Sequence, residues 1–230
     1  MFQKVREDGR TKLNTAEALK IAKIYGFPIA ESRLIKDNDS LLKAAKELGF
    51  PVVLKAVSEK IAHKSDIGGV ILNIRDEDEL VQAYTNLKHN LKKRDPELQY
   101  SEIIIQQYAS GGKEIILGMN HDPTFGPLII FGSGGIYVEV IKDFSLKIHP
   151  ITDTDAEEMI RSIKGYPILE GVRGEEGVDL DLIKESLLRL SQLINDFECI
   201  AELDFNPFIV FNDRSKCKLV DARIKILPAQ

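Results

Sequence analysis

The sequence predicts an α+β protein made of two lobes. Helical and extended patterns are mixed in the first hundred residues, whereas from Ile103 onward several strand patterns precede two helices and a closing hairpin. Because strict βαβ alternation is missing, two α+β lobes are favoured over one doubly wound sheet. A chain of 230 residues can bury a sizeable core. We expect one lobe at residues 12–109 and the other at 110–230.

The first lobe is expected to begin with a clearly marked helix. Asn14 or Thr15 is suited to cap this helix, and Glu17 stands where a capping box requires it. Gly26 ends the apolar periodicity, as glycine often does just after a helix. A strand is predicted next, around residues 29–35.

The remaining elements of the first lobe alternate between helix and strand. Ser40 is expected to cap a short helix that ends at Gly49, and Asp76 to open a charged amphipathic helix reaching about Arg94. The predicted strands of this region are residues 52–57, 70–74 and 103–108.

The second lobe is expected to be rich in strands. The hydrophobic runs predict strands at residues 114–119, 127–131, 137–141 and 146–148, and helices at 153–163 and 179–197. The chain closes with a predicted hairpin, residues 201–211 and 218–226, turned at the polar segment 212–215.

Composition and charge exclude several classes of function. A net charge of −5 argues against nonspecific binding to nucleic acid, which needs a basic face. No apolar run is long enough to span a bilayer, and the first residues lack the apolar core of a signal peptide. The cysteines Cys199 and Cys217 are too few for a disulfide framework. A cytoplasmic protein with reduced thiols is therefore expected.

The most informative stretch is an apolar strand with a lysine at its centre, followed by a polar loop. Burying the Lys55 ammonium costs several kcal/mol unless an anion neutralises it, so a phosphate from outside the chain is a candidate partner. In the loop, Lys64 adds charge, and Gly68-Gly69 lets backbone N–H groups approach a phosphate closely. The alternative is an edge-strand lysine that reaches water. The pattern is not a Walker A loop.

His63 lies in the same polar loop. The neighbouring Lys64 and Ser65 could stabilise a phosphoryl group added to the imidazole, so a phosphohistidine is chemically sensible. The alternative is a solvent-facing loop residue with no chemical role.

The closing hairpin is a candidate Mg²⁺ site. Asn206 lies in an apolar strand, and Asp221 lies on the returning strand. Carboxylate and carboxamide oxygens suit Mg²⁺, which takes its other ligands from water and nucleotide phosphates. Side chains alternate between the two faces of a strand. Asn206 and Asp221 therefore lie on the same face only if the numbers of the two residues in each cross-strand pair of the hairpin add to an odd value. The alternative is a set of polar residues that flank a turn.

Two further patterns are less specific. The segment Gln106-Gln107-Tyr108 and the turn before Glu114 could offer backbone groups to an adenine and a carboxylate to ribose hydroxyls, although a plain hairpin has the same pattern. The glycine cluster at residues 132–135 fits a cover loop, a partner-contact loop or a flexible turn.

Together these patterns resemble the ATP-grasp fold, and more closely the small β subunit of ADP-forming acyl-CoA (acetyl-CoA) synthetases. The string His-Lys-Ser-Asp-x-Gly-Gly-Val is specific to this family among ATP-grasp proteins. The segments that carry the resemblance follow the family order: 53–56, 63–70, 111–114, 134–140, 202–207 and Asp221.

The resemblance implies a nucleotide clamped between two lobes. It assigns the phosphates to Lys55, the adenine to Gln106, Gln107 and Tyr108, the ribose to Glu114, and Mg²⁺ to Asn206 and Asp221. Ala56, Lys64, Gly68 and Gly69 are expected as further nucleotide-binding residues. It implies that His63 receives a phosphoryl group from a histidine of a larger CoA-binding α subunit and delivers it to ADP, giving ATP. An α2β2 heterotetramer is the expected assembly.

Two positions depart from the expected family pattern. Lys147 stands where arginine is expected, which puts a bidentate phosphate contact there in doubt, and Ser133 replaces a bulkier apolar residue. Two other functions fit an ATP-grasp chain: a stand-alone carboxylate ligase that works through an acyl phosphate, and a noncatalytic ATP-sensing subunit. Neither requires the string around His63.

Overall fold

A computed structural model describes residues 1–57, 68–97, 102–135 and 142–228 of the chain. Within these ranges the chain forms two compact units, each containing helices and an antiparallel sheet. Unit 1 comprises Met1–Ile29 and Ala109–Gln230, and unit 2 comprises Ala30–Tyr108. The predicted α+β class is confirmed.

Unit 2 contains a four-stranded sheet and two helices. The strands lie in the order β1-β4-β2-β3, and all neighbouring pairs are antiparallel. One face of the sheet packs against both helices through a core that includes Leu41, Leu54, Leu87 and Ile105. The elements in chain order are β1 (Ser32–Ile35), α3 (Asn38–Leu48), β2 (Val52–Val57), β3 (Val70–Ile74), α4 (Glu77–Arg94) and β4 (Glu102–Gln107).

Unit 1 contains a larger sheet, ordered β10-β8-β5-β6-β7, with the short β9 also paired to β8. Its helices and strands share one extensive core. The elements are α1 (Phe2–Glu7), α2 (Thr15–Ile24), β5 (Lys113–Asp122), β6 (Gly126–Ser133), β7 (Phe144–Ile148), α5 (Asp153–Ser162), α6 (Tyr166–Glu170), α7 (Leu180–Asp196), β8 (Ile200–Val210), β9 (Lys218–Leu219) and β10 (Ala222–Ile226).

Helix starts show how closely local sequence determines local structure. The predicted capping box of α2 is confirmed, because Asn14 Oδ1 accepts from Glu17 N and the Glu17 carboxylate accepts from Asn14 N, both at 2.9 Å. Asp76 caps α4 as predicted. Ser40 as the cap of α3 is wrong: Asp37 is the N-cap and Ser40 occupies the third helical position of the same capping box.

Several elements differ from the sequence prediction. The short helices α1 and α6 were not predicted, and the returning strand of the final hairpin is divided into β9 and β10. The predicted strand at 137–141 lies outside the described residues.

The units divide the chain differently from the predicted lobes at the first boundary. Residues 12–29, expected in the first lobe, pack with the C-terminal part of the chain in unit 1. The physical reason is the apolar face of α2, where Ala18 and Ile21 are buried in the core of unit 1. Beyond this helix, the Phe27 ring centroid lies 5.0 Å from that of Phe205 on β8. The second division between the units lies between Tyr108 and Ala109.

Candidate functional site

The sheet of unit 1 carries the polar residues of the closing hairpin on one face. Along β8, Leu203 and Phe205 are buried in the core beneath the helices. Because side chains of a strand alternate between faces, Glu202, Asp204 and Asn206 lie on the opposite face. We call this face the open face of the unit 1 sheet.

Asn206 on β8 and Asp221, which lies between β9 and β10, are neighbours through a backbone hydrogen bond. Phe205 pairs with Ala222 and Phe208 pairs with Leu219, and between these pairs the Asn206 N–H donates to the Asp221 carbonyl oxygen at 3.2 Å. In each of these pairs the two residue numbers add to an odd value, so the register meets the condition for the Asn206 and Asp221 side chains to share one face. Directly opposed residues project their side chains to the same face of a sheet. By this register the Asn206 carboxamide and the Asp221 carboxylate are both assigned to the open face, and Asp221 Oδ1 also accepts from Ala222 N at 3.0 Å.

This pair fits Mg²⁺ bound together with a nucleotide. Asn206 is exposed and Asp221 is half-buried, so both side chains can reach a ligand on the open face. Within residues 1–57, 68–97, 102–135 and 142–228, no group of three or more His, Cys, Asp or Glu side chains is placed to hold a metal. Two protein oxygens, completed by phosphates and water, are a common Mg²⁺ environment, whereas a closed protein cage is not.

Asp204 is a further carboxylate on the open face, and the sequence analysis did not select it. It lies opposite Arg223 on β10 and opposite Gly118 on β5. Burial raises the pKa of Asp204 to about 6, with Asp221 and Glu202 adding to the increase and Arg223 opposing it. The sequence does contain a signal for Asp204: it precedes Asn206 by two residues, and residues two apart in a strand lie on the same face.

The raised pKa predicts how Asp204 affects stability. The folded protein holds this proton more tightly than the unfolded chain does, so the ionised carboxylate destabilises the fold above about pH 6. Asp204→Asn should increase the free energy of unfolding at pH 7.5 by on the order of 2 kcal/mol, and the gain should vanish below about pH 4. Urea unfolding in EDTA across this pH range measures both effects.

The matched control for this prediction is Glu202→Gln, which removes one charge from an exposed residue on the same face of β8. It should change the unfolding free energy by less than about 0.5 kcal/mol. An Asp204→Asn variant no more stable than the wild type at pH 7.5 would contradict the raised pKa.

Glu114, the expected ribose ligand, lies at the start of β5 on the open face. The register of β5 against β6 is regular from Ile115 to Asp122, so Glu114 shares a face with Gly118. The Glu114 carbonyl accepts from Gly134 N at 2.7 Å, which places the glycine cluster directly against it. The structure thus brings Glu114 and residues 132–135 together, although the sequence analysis treated them separately.

Lys147 lies on the helix-covered side of β7. Its ammonium contacts Asp155 at 3.0 Å and Glu158 at 2.6 Å, both on α5. These hydrogen bonds, the Glu158 bond first, raise the pKa of Lys147. Lys147 therefore ties β7 to α5, and nothing in its position indicates a phosphate contact on the open face.

In unit 2, Lys55 lies at the middle of β2 and is only 6% exposed. Leu54 and Ala56 belong to the helix-side core. By alternation, Lys55 projects to the other face of the sheet, together with Ile104, its partner on β4. The predicted burial of this lysine is confirmed, and its phosphate contact stays a prediction.

The expected adenine segment forms the end of β4 and the first residue after it. Gln106 is fully buried, and its Nε2 donates to the Ala30 carbonyl at 3.4 Å. Gln107 N donates to the Glu31 carbonyl at 3.0 Å, and Tyr108 N donates to the Pro51 carbonyl at 3.2 Å. The Gln106 side chain is thus engaged within unit 2, which leaves the strand end and the half-buried Gln107 and Tyr108 as the more accessible parts.

The expected phosphate loop is described only in part. Gly68 has φ +64°, and a β-carbon there would lie 2.8 Å from Asn90 Nδ2 on α4. The Gly69 carbonyl accepts from Ala56 N at 2.8 Å, and the Ala56 methyl group faces the helix-side core. Local packing therefore explains Gly68, and the nucleotide contacts of Ala56, Gly68 and Gly69 stay predictions. His63 and Lys64 lie outside the described residues.

None of the helices in the described ranges is both long and apolar enough to cross a membrane.

Comparison with known proteins places these features in a family. The model of the ATP-grasp domain family matches residues 4–226. The acetate–CoA ligase [ADP-forming] II subunit beta of Pyrococcus furiosus is 41% identical over 225 residues, which cover 97% of this chain and 95% of that subunit. The 4-hydroxybutyrate–CoA ligase [ADP-forming] of Nitrosopumilus maritimus is 42% identical over 97% of this chain, and the match spans 32% of that longer protein.

Solved structures show the same similarity. A dinucleotide-forming acetyl-coenzyme A synthetase 1 from Ca. Korarchaeum cryptofilum, in complex with coenzyme A, Ca-AMPCP and HgCl⁺, gives a TM-score of 0.91 at 41% identity over 98% of both chains. A second structure of that synthetase, in complex with coenzyme A and Mg-AMPPCP, gives 0.85 at 39% identity over 98% of both chains. In that structure a phosphohistidine segment points towards the nucleotide binding site.

Proposed function

The chain belongs to the ATP-grasp domain family, and on this basis we propose that it is the nucleotide-binding β subunit of an ADP-forming acyl-CoA ligase. The overall reaction converts acyl-CoA, ADP and phosphate to the free acid, ATP and CoA. Close relatives over nearly the full chain are β subunits of ADP-forming acetate–CoA ligases, and they support this assignment.

The observation that carries the proposal is the pairing of Asn206 with Asp221. An unrelated α+β chain has no reason to place a carboxamide and a carboxylate as direct neighbours on the open face of its sheet. Mg²⁺, when bound there with ADP, would neutralise phosphate charge during transfer. Asn206 Oδ1 and an Asp221 carboxylate oxygen are the atoms proposed to hold it.

The remaining residues are proposed to bind and orient the nucleotide. Lys55, Ala56, Lys64, Gly68 and Gly69 are proposed to contact the nucleotide at its phosphates, and the segment 106–108 is proposed to contact adenine. Glu114 would accept hydrogen bonds from the ribose hydroxyls. Holding ADP in one orientation turns the transfer into an effectively unimolecular step, which is a large share of phosphoryl-transfer catalysis.

His63 is proposed to carry the phosphoryl group. It would take the group from a phosphohistidine of a larger CoA-binding α subunit, and an ADP β-phosphate oxygen would then attack phosphorus. The new P–O bond gives ATP, the P–N bond breaks, and the imidazole recovers a proton from solvent. The names of the relatives as β subunits support a separate partner chain, and we propose an α2β2 assembly.

Reconstitution with the CoA-binding chain tests the function. ATP formation from ADP, phosphate and a panel of short acyl-CoA thioesters should require both chains and Mg²⁺. ATP formation by this chain alone would favour a stand-alone carboxylate ligase. Binding of Mg-ADP without ATP formation in the reconstituted complex would favour a noncatalytic nucleotide-sensing subunit. Either result would overturn the proposal.

A further inference from the structure

The glycine loop, residues Gly132–Gly135, lies against Glu114 and leaves no space for a side chain at Gly134. A β-carbon at Gly134 would lie 2.6 Å from the Glu114 β-carbon, closer than such atoms ever approach. A β-carbon at Gly135 would lie 3.2 Å from Glu114 Oε2. Gly135 also has φ +67°, a conformation that glycine adopts readily. The loop therefore hydrogen-bonds to the backbone of Glu114 through Gly134, and Gly135 leaves free the space beside the Glu114 carboxylate that a β-carbon would fill.

The other side of the glycine loop is fixed by a buried carboxylate. Asp143 is 5% exposed and accepts from Ser133 Oγ at 2.7 Å, from Lys164 N at 2.6 Å and from Gly165 N at 2.8 Å. Burial alone would raise the pKa of Asp143, but these three hydrogen bonds hold it below its ordinary value. Ser133 N also donates to the Asp143 carbonyl at 3.1 Å.

The space around the hydrogen bond between Ser133 and Asp143 is restricted as well. A β-carbon at Gly165 would collide with Ser133 Oγ and lie 2.9 Å from Asp143 Oδ2. The serine that departs from the expected family pattern thus has a defined role, since its hydroxyl links β6 to the Asp143 carboxylate. The loop is held between Asp143 on one side and Glu114 on the other.

We infer that the glycine loop, anchored by Asp143, is a positioning device that restricts the Glu114 carboxylate to the orientation in which it receives nucleotide ribose hydroxyls. A free glutamate side chain loses considerable rotamer freedom when it is ordered by a ligand. The hydrogen bond from Gly134 N to the Glu114 carbonyl and the close packing of Gly134 against the Glu114 β-carbon restrict that freedom before the ligand binds, so less is lost on binding. This inference rests on the proposed function for the ribose role of Glu114, and it adds Asp143, Ser133 and Gly135 as positioning residues.

The experiment compares two alanine substitutions at glycines of equal backbone strain. Gly135 and Gly126 both have positive φ, +67° and +76°, but a β-carbon at Gly126 meets nothing within 4 Å. Calorimetry with Mg²⁺ measures the affinities for ADP and for 2′,3′-dideoxy-ADP, and their ratio reports the ribose contact. The wild type and Gly126→Ala should prefer ADP by a similar factor. Gly135→Ala and Asp143→Asn should reduce that preference by roughly tenfold.

Glu114→Ala separates failure of the inference from failure of the ribose assignment. If Glu114→Ala keeps the full preference for ADP, the ribose role of Glu114 is wrong and the positioning inference fails with it. If Glu114→Ala loses the preference but Gly135→Ala and Asp143→Asn keep it, the ribose role stands and the inference alone is overturned. A merely structural loop would lower the melting temperature of both glycine variants without changing the ratio.

Ser133→Ala covers the case in which Asp143→Asn does not fold. It removes one of the three donors to the buried carboxylate and leaves both backbone donors in place. We expect it to fold and to show a partial loss of ribose preference, smaller than that of Gly135→Ala. An unchanged ratio in both Ser133→Ala and Gly135→Ala would overturn the inference.

Discussion

Replacing His63 with alanine is expected to reduce ATP formation by the reconstituted enzyme at least about a thousandfold. Alanine has no atom that can carry a phosphoryl group, so the relay would stop at the partner chain. The partner's own steps, formation of the acyl phosphate and of its phosphohistidine, should continue at their normal rates. Labelled phosphate should therefore accumulate on the larger chain and be absent from this one.

His89→Ala is the matched control, because His89 is an exposed histidine of unit 2 on α4. It should leave both labelling and ATP formation unchanged. The measurement follows labelled phosphate on each chain by acid-free gel electrophoresis, with ATP assayed in parallel. ATP formation at the normal rate by the His63→Ala enzyme would rule out the relay and favour direct transfer from the partner.

Asp221→Ala is expected to remove the Mg²⁺ dependence of ADP binding. Wild-type affinity for ADP should be far higher with Mg²⁺ than with EDTA, whereas the variant should bind ADP about equally under both conditions. In Mg²⁺ the variant should bind at least about a hundredfold more weakly than the wild type. The reason is the loss of one of the two oxygen ligands that we propose for Mg²⁺ at this position. Calorimetric titration of ADP under both conditions measures the effect.

Glu202→Ala is the control for charge, since it removes one carboxylate from the same face of the same sheet. It should keep the Mg²⁺ dependence of the wild type. Asn206→Ala should resemble Asp221→Ala, because the two side chains are proposed to hold the ion together. If Asp221→Ala keeps a wild-type response to Mg²⁺, the pair does not bind the metal.

The candidate metal pair shows what the sequence could predict and where it stopped. The sequence predicted the residue types and the strands that carry them, because an amide and an acid are conspicuous in apolar β patterns. It could not predict that Asn206 and Asp221 lie close together, because their pairing depends on the number of residues in the turn. The structure places a short 3₁₀ helix, Arg214–Lys216, in that turn and gives the register that brings Asn206 and Asp221 together.

Contacts between distant segments were the part that local sequence could not predict. Ser133 and Asp143 are ten residues apart and meet only because β6 and β7 are paired. The sequence left a phosphate contact at Lys147 in doubt, and the structure shows the ammonium bound to Asp155 and Glu158 on α5. The amphipathic pattern of α2 predicted a buried face but not the strands that bury it.

The division of the chain has a consequence for its topology. Unit 2 is a single continuous segment, and unit 1 is assembled from the residues before and after it. The smaller unit is therefore a guest inserted into a host domain, joined to it at two covalent crossings. Residues of α2 and Phe27, which lie before the inserted unit in the chain, pack in the same core as Phe205 on β8. The hydrophobic core of unit 1 therefore includes a helix, α2, that precedes the inserted unit 2 in the chain.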